Sequence, residues 1–208
     1  LKAQTTGSYF TSNPTLTPDG KTVIFSYEGD LWKADINSPA ATRLTAMQGE
    51  ETSPRVSPDG QWLAFSSNQF GNNDVYVMPL AGGDIKQLTY NDAGDNVDSW
   101  TWDSKSIYFN SSRYNGFSEY KVAATGGTPV RLFGHYFNTI HGVVEHPQTG
   151  ELFFSNTWES IYFPTRKHYK GAYNPDIQSY NPKTKAYKKY TDWQGKDFWT
   201  TIDQKGNI

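Results

Sequence analysis

Apolar residues come along this chain in short bursts, separated by Gly, Pro, Asn and Asp. Trp62-Leu63-Ala64-Phe65-Ser66-Ser67 is nearly continuous and too apolar for an exposed sheet edge. Asp74-Val75-Tyr76-Val77-Met78 reads the same way, whereas Ile85-Lys86-Gln87-Leu88-Thr89 alternates as a half-exposed outer strand does. Ahead of them, Arg55-Val56-Ser57 leads into Pro58-Asp59-Gly60, where Pro presets φ and Gly accepts a positive φ. A second turn is predicted at Gly82-Gly83, with a counterpart at Gly126-Gly127. The pattern therefore predicts four short antiparallel strands across about forty residues.

The same block recurs. "SPRVSPDGQWLAFSS" at 53–67 repeats "NPTLTPDGKTVIFSY", forty residues earlier. The turn element at Pro18-Asp19-Gly20 and Pro58-Asp59-Gly60 decays to Trp102-Asp103-Ser104, with looser forms at Pro147–Gly150 and Asp203–Gly206. Strand-opening residues Asp30, Asp74 and Ser118-Glu119, and the closing pairs Leu44-Thr45, Leu88-Thr89 and Leu132-Phe133, recur every 44 residues. Four-stranded units of this period are blades of a β-propeller, an all-β fold in which each sheet hides its faces against its neighbours. The Trp, Tyr and Phe side chains are expected between blades. Expected units are 8–48, 49–92, 93–136 and 137–194, with the start of another at 195–208, about four and a half blades of a six- or seven-bladed ring. No 3.6-residue periodicity is sustained enough to predict a helix.

Composition sharpens this picture. Seven Trp, 14 Tyr and 12 Phe suit strands rather than disorder. Net charge is −2 with both signs scattered, so no long-range field draws the chain to nucleic acid or anionic lipid. No apolar run approaches the ~20 residues of a membrane-spanning helix. There is no Cys, which excludes disulfides, thiol catalysis and thiolate metal sites. Residues 1–7 read as a leader remnant or a trimmed tail, which makes an exported, periplasmic location the expectation and a cytoplasmic one the alternative.

Catalytic patterns are weak. No Ser lies in a Gly-x-Ser-x-Gly or Ser-x-x-Lys setting. Among His135, His141, His146 and His168, the pair His141 and His146 is spaced to opposite faces of a strand and suits no shared metal. Asp92, Asp95 and Asp98 lack the alternation of a calcium loop, and Asp98 aligns with Pro14 and Pro54 at the start of an inner strand. No catalytic residue, metal or cofactor is predicted. The candidates are contact residues. Arg166-Lys167-His168-Tyr169-Lys170 forms a basic, aromatic insertion able to hold carboxylates or peptide backbone, with Trp158 just before it and Arg113 in the corresponding loop of the third unit.

"SPDG", "WLAFSS" and "DVYVMPLAGGDIKQLT" resemble the repeats of TolB-type propellers. The segment 144–208, with its insertion before Asp176-Ile177, is similar to the N-terminal propeller of bacterial tricorn-like peptidases of the S41 serine class. The likeness spans about 8–208. It implies a non-catalytic segment that scaffolds the enzyme and gates peptide access, with peptides or downstream protease and PDZ-like domains as partners and a homo-oligomer possible. It places the catalytic serine in a C-terminal part beyond 208. The rival readings are a TolB-like envelope propeller that binds protein partners without catalysis, and a lyase propeller, for which the His are too few and too close in sequence.

Overall fold

The computed structural model describes residues 11–208; the leader reading of 1–7 lies outside the described residues. Sixteen strands form four separate four-stranded antiparallel sheets among the described residues. The first holds β1 (Ser12–Leu16), β2 (Thr22–Tyr27), β3 (Asp30–Asp35) and β4 (Ala41–Arg43). The second holds β5 (Glu51–Val56), β6 (Trp62–Ser67), β7 (Asp74–Pro79) and β8 (Lys86–Gln87). β9 (Asp95–Trp100), β10 (Ser106–Ser111), β11 (Ser118–Ala123) and β12 (Val130–Arg131) make the third. β13 (Ile140–Glu145), β14 (Leu152–Asn156), β15 (Ile177–Tyr180) and β16 (Tyr187–Lys189) make the fourth. Each is an up-and-down meander, and the inner strands β1, β5, β9 and β13 lie against one another in that order.

The Pro-Asp-Gly signal has a specific geometry. The Ser57 hydroxyl donates to the Asp59 carboxylate at 2.5 Å, which also accepts the Gln61 amide at 3.0 Å. The Gly60 amide closes the turn on the Ser57 carbonyl at 2.8 Å, and Gly60 has φ +71°, a region that disfavours any residue with a Cβ. Thr17 with Asp19, and Thr101 with Asp103, repeat this arrangement at 2.6 and 2.7 Å. The turns also touch: the Ser104 hydroxyl accepts the Asp59 amide at 3.1 Å, and Gln148 donates to the Gln204 carbonyl at 3.0 Å.

The other two anchors meet at the far end of each sheet. The Thr45, Thr89 and Thr191 hydroxyls accept the Leu31, Val75 and Ile177 amides at 2.9, 2.9 and 3.0 Å, tying the segment after the outer strand to the start of the third strand. Arg43 pairs with Asp30 at 2.6 Å and Lys189 with Asp176 at 2.7 Å, and Gln87 donates to Asp74 at 3.0 Å. Phe133 takes the threonine's place in the third sheet.

The rings are where the repeat demands. Phe65, Tyr76, Leu63 and Met78 of the second sheet pack on Ile24 and Leu31 of the first. Val97, Trp100, Ile107 and Phe109 of the third pack on Ala64, Val75 and Val77 of the second, and Ile140, Val143 and Phe154 of the fourth on Tyr108 of the third. Fully burying one such side chain contributes about 1.5–3 kcal/mol.

Two details differ from the sequence reading. Residues 159–162 form a single helical turn, α1 (Glu159–Tyr162), too short to carry a periodicity. The third inner strand opens at Asp95, and Asp98 is its bulge residue, between Val97↔Phe109 and Ser99↔Tyr108. All four inner strands carry this irregularity, with positive φ at Asn13, Ser53 and Gly142 in the other three.

Candidate interaction face

In an up-and-down sheet, alternate connections emerge at the same end. The tight turns between first and second, and third and fourth, strands share one face of the molecule. The connections after each second and fourth strand share the other, and except for the two-residue link 28–29 they are as long or longer. Arg113, Trp158, Arg166, His168 and Tyr169 all lie in second-to-third connections, so the topology brings the five candidates to one face. Exposed rings collect there too: Phe70, Tyr90, Phe137 and Trp193 are 72, 77, 82 and 70 % exposed.

The insertion is an ordered loop with its own interior. The Thr157 hydroxyl donates to the Tyr173 carbonyl at 2.7 Å, and the Trp158 ring packs on Tyr173 and Phe163 at 4.9 and 6.0 Å. Arg166 grips Glu159 with both ends of its fork, Nε donating to Oε1 at 2.8 Å and the terminal nitrogen to Oε2. Its guanidinium lies between the Phe163 and Tyr169 rings at 4.6 and 4.3 Å. Lys196 approaches the same carboxylate at 3.1 Å. The Arg166 hydrogen bond, followed by that of Lys196, holds the Glu159 carboxyl below its usual range, and Glu159 raises Arg166 in return. Much of Arg166's charge is therefore used inside the loop. Lys167, His168 and Lys170 are exposed, with His168 at φ +60°.

Arg113 is anchored similarly. It pairs with buried Asp95, donates to the Ser111 hydroxyl at 3.0 Å, and lies over the Phe109 and Tyr120 rings at 5.5 and 4.9 Å. His141 lies near the start of β13 and His146 directly follows its end. The buried His141 ring meets the Thr157 carbonyl at 3.1 Å, and burial lowers its pKa. The His146 ring accepts the Gln148 and Thr149 amides, each at 3.3 Å.

A buried polar cluster under this face was not visible in the sequence. Asp98 accepts the Asn110 side-chain amide at 3.0 Å and the Gly142 amide of the next blade at 2.6 Å, and its carbonyl accepts Arg55 Nε of the previous blade at 2.7 Å. One bulge residue thus joins three blades. Beside it the Glu119 carboxyl is fully buried, with no donor on either oxygen. Burial, then the neighbouring Asp98 charge, push its pKa well above the usual range. The buried Glu119 carboxyl therefore favours its protonated form.

Residues 8–206 match the tricorn protease N-terminal β-propeller domain. The chain belongs to that family. It is 36% identical over 89 residues to tricorn protease homolog 1 of Streptomyces coelicolor, a stretch covering 42% of this chain and 8% of that protein. An uncharacterized Agrobacterium fabrum protein, Atu1656, is 34% identical over 85 residues, covering 38% of this chain and 28% of that one. Among solved structures, a putative TolB from Agrobacterium tumefaciens superposes with TM-score 0.75 at 21% identity, over 92% of this chain and 65% of that one. The tricorn protease crystal structure superposes with TM-score 0.72 at 20% identity, over 91% of this chain and 19% of that one. These last two likenesses establish the propeller fold. The chain spans only a small part of the Streptomyces protein's length.

Proposed function

We propose that this propeller is a non-catalytic part of a tricorn-like serine peptidase, scaffolding the enzyme and gating the access of peptides to a protease domain elsewhere in the polypeptide. The observation that carries this reading is the gathering of Arg113 and the 157–176 insertion on one face, among solvent-facing rings and exposed Lys167, His168 and Lys170. Cations on such a loop can hold a peptide's carboxylates and carbonyls, while rings take its apolar side chains. Stacked blades supply a stiff frame, because moving one means exposing a packed aromatic face. In this reading Arg166 and Tyr169 shape the loop, and His168 with its flanking lysines touches the peptide or the neighbouring domain.

The test is peptide turnover and domain association in the full-length protein carrying Arg166→Ala and His168→Ala. We expect turnover or association to fall several-fold, and wild-type values for both would overturn the proposal. The 208-residue chain alone is expected to cleave no peptide; turnover by it would move the chemistry into the propeller.

A further inference from the structure

The blades are close copies, so a charge kept in one and lost in another is informative. Where the first blade meets the second, acids open both facing strands: Asp30 of β3 and Glu51 of β5, with Arg43 on Asp30 at 2.6 Å. The second-to-third junction repeats this with Asp74 and Asp95, served by Gln87 and Arg113. At the third-to-fourth junction both acid positions are lost. Ser118 stands where Asp30 and Asp74 stand, and Ile140 occupies the register position of Glu51 and Asp95. Phe133 replaces the threonine, so the floor is apolar, with Ser118, Phe133 and Ile140 at 5, 4 and 0 % exposure.

The cation is still there. Arg131 pairs with Tyr120 across the sheet just as Arg43 pairs with Trp32. Of the chain's five arginines, Arg43, Arg113 and Arg166 hold carboxylates, and Arg55 donates to the Pro54 and Asp98 carbonyls. Half-buried Arg131 has no carboxylate within ion-pair distance among the described residues, and its guanidinium lies on the Tyr114 ring at 3.5 Å. Stacking on a ring desolvates the guanidinium's face and leaves its donor edge free for a planar acceptor. Tyr114 meets Tyr136 edge-on at 5.5 Å, and Tyr136 meets Phe137 at 5.6 Å, so exposed rings border the cation.

We propose that Arg131 marks a binding site for an acidic side chain of a partner polypeptide, whose carboxylate takes the place of the missing Asp30 and Asp74 equivalent while an adjacent apolar residue rests on Tyr136 and Phe137. This rests on the peptide-handling reading above only for the kind of partner. The charge argument comes from the repeat itself.

The probe is a fluorescent peptide containing Asp-Phe, blocked at its N terminus and amidated at its C terminus, titrated against the 208-residue chain beside its Asn-Phe counterpart. We expect saturable binding of the Asp peptide, with the Asn peptide and the Arg131→Gln variant each weaker by roughly tenfold or more. Ser118→Asp restores the internal carboxylate and is the decisive variant. It is expected to abolish binding while the thermal midpoint stays level or rises. Equal binding of the two peptides, no saturable binding, or undiminished binding by Ser118→Asp would each overturn the site. A peptide with a free C terminus and no acidic side chain separates the carboxylate sources: binding of that probe alone would overturn the side-chain assignment. Arg166→Ala and His168→Ala, titrated in parallel, keep the two ideas apart, because failure at Arg131 leaves a role for the insertion intact and the reverse holds equally.

Discussion

Glu119 shows what one side chain does in a packed interior. A buried carboxylate without a donor is costly, so burial and then the nearby Asp98 charge shift the group toward its protonated form. The sign of the consequence is fixed. Folding raises this pKa from its ordinary 4.5, so above that value the folded state holds a proton that the unfolded chain has released. Stability from this residue is fullest at or below pH ~4.5 and declines as pH rises toward the raised folded value. Glu119→Gln supplies a permanent donor and removes the titration. We expect its stability advantage over wild type, measured by urea unfolding, to grow as pH rises above about 5, with a slope of at most about 1.4 kcal/mol per pH unit. Parallel pH profiles would show that Glu119 does not hold a proton. Glu51 and Asp74, also raised chiefly by burial, tilt wild type the same way but cancel in the comparison.

Among the elements, the recurring tight turn and the insertion behave differently. The turn is local. Ser57, Asp59 and Gly60 satisfy one another within a few residues, which explains why Pro-Asp-Gly could be read directly from the chain. Gly60→Ala forces a Cβ into φ +71°, and a loss of about 1 kcal/mol in chemical denaturation is expected, with β5 and β6 still paired. The insertion is held from within and from outside: Glu159 meets Arg166, seven residues on, and also Lys196 beyond the insertion. Glu159→Gln keeps the shape and removes the charge. We expect it to make 157–176 cleavable by a limiting amount of protease well before the blades are cut, and equal cleavage rates would show that the ion pairs do not order the loop.

For the whole molecule, stability lies in the junctions between sheets. Phe65 of β6 and Phe109 of β10 are each fully buried against or beside a neighbouring blade. Phe109→Ala should cost about 3–5 kcal/mol of unfolding free energy, far more than an equal truncation at exposed Phe137, where little change is expected. If the two truncations cost the same in calorimetry, the sheets are not stabilised by stacking. The longer connections, freed from that packing, carry the exposed rings and the contact residues.

Much of the architecture was legible in the chain, because strand alternation, turn chemistry and a 44-residue recurrence of Asp30, Asp74 and Ser118 are local or periodic properties that one sequence displays. The grouping of Arg113 with Arg166 followed from the same periodicity, since equivalent connections of an up-and-down blade must emerge together. Tertiary structure alone decided which charges meet. Glu159 gripping Arg166, Asp98 joining three blades and Arg131 resting on Tyr114 all depend on where separate segments come to lie and how dry that place is. Electrostatic strength depends on separation in space and on dielectric, and spacing along the chain specifies neither.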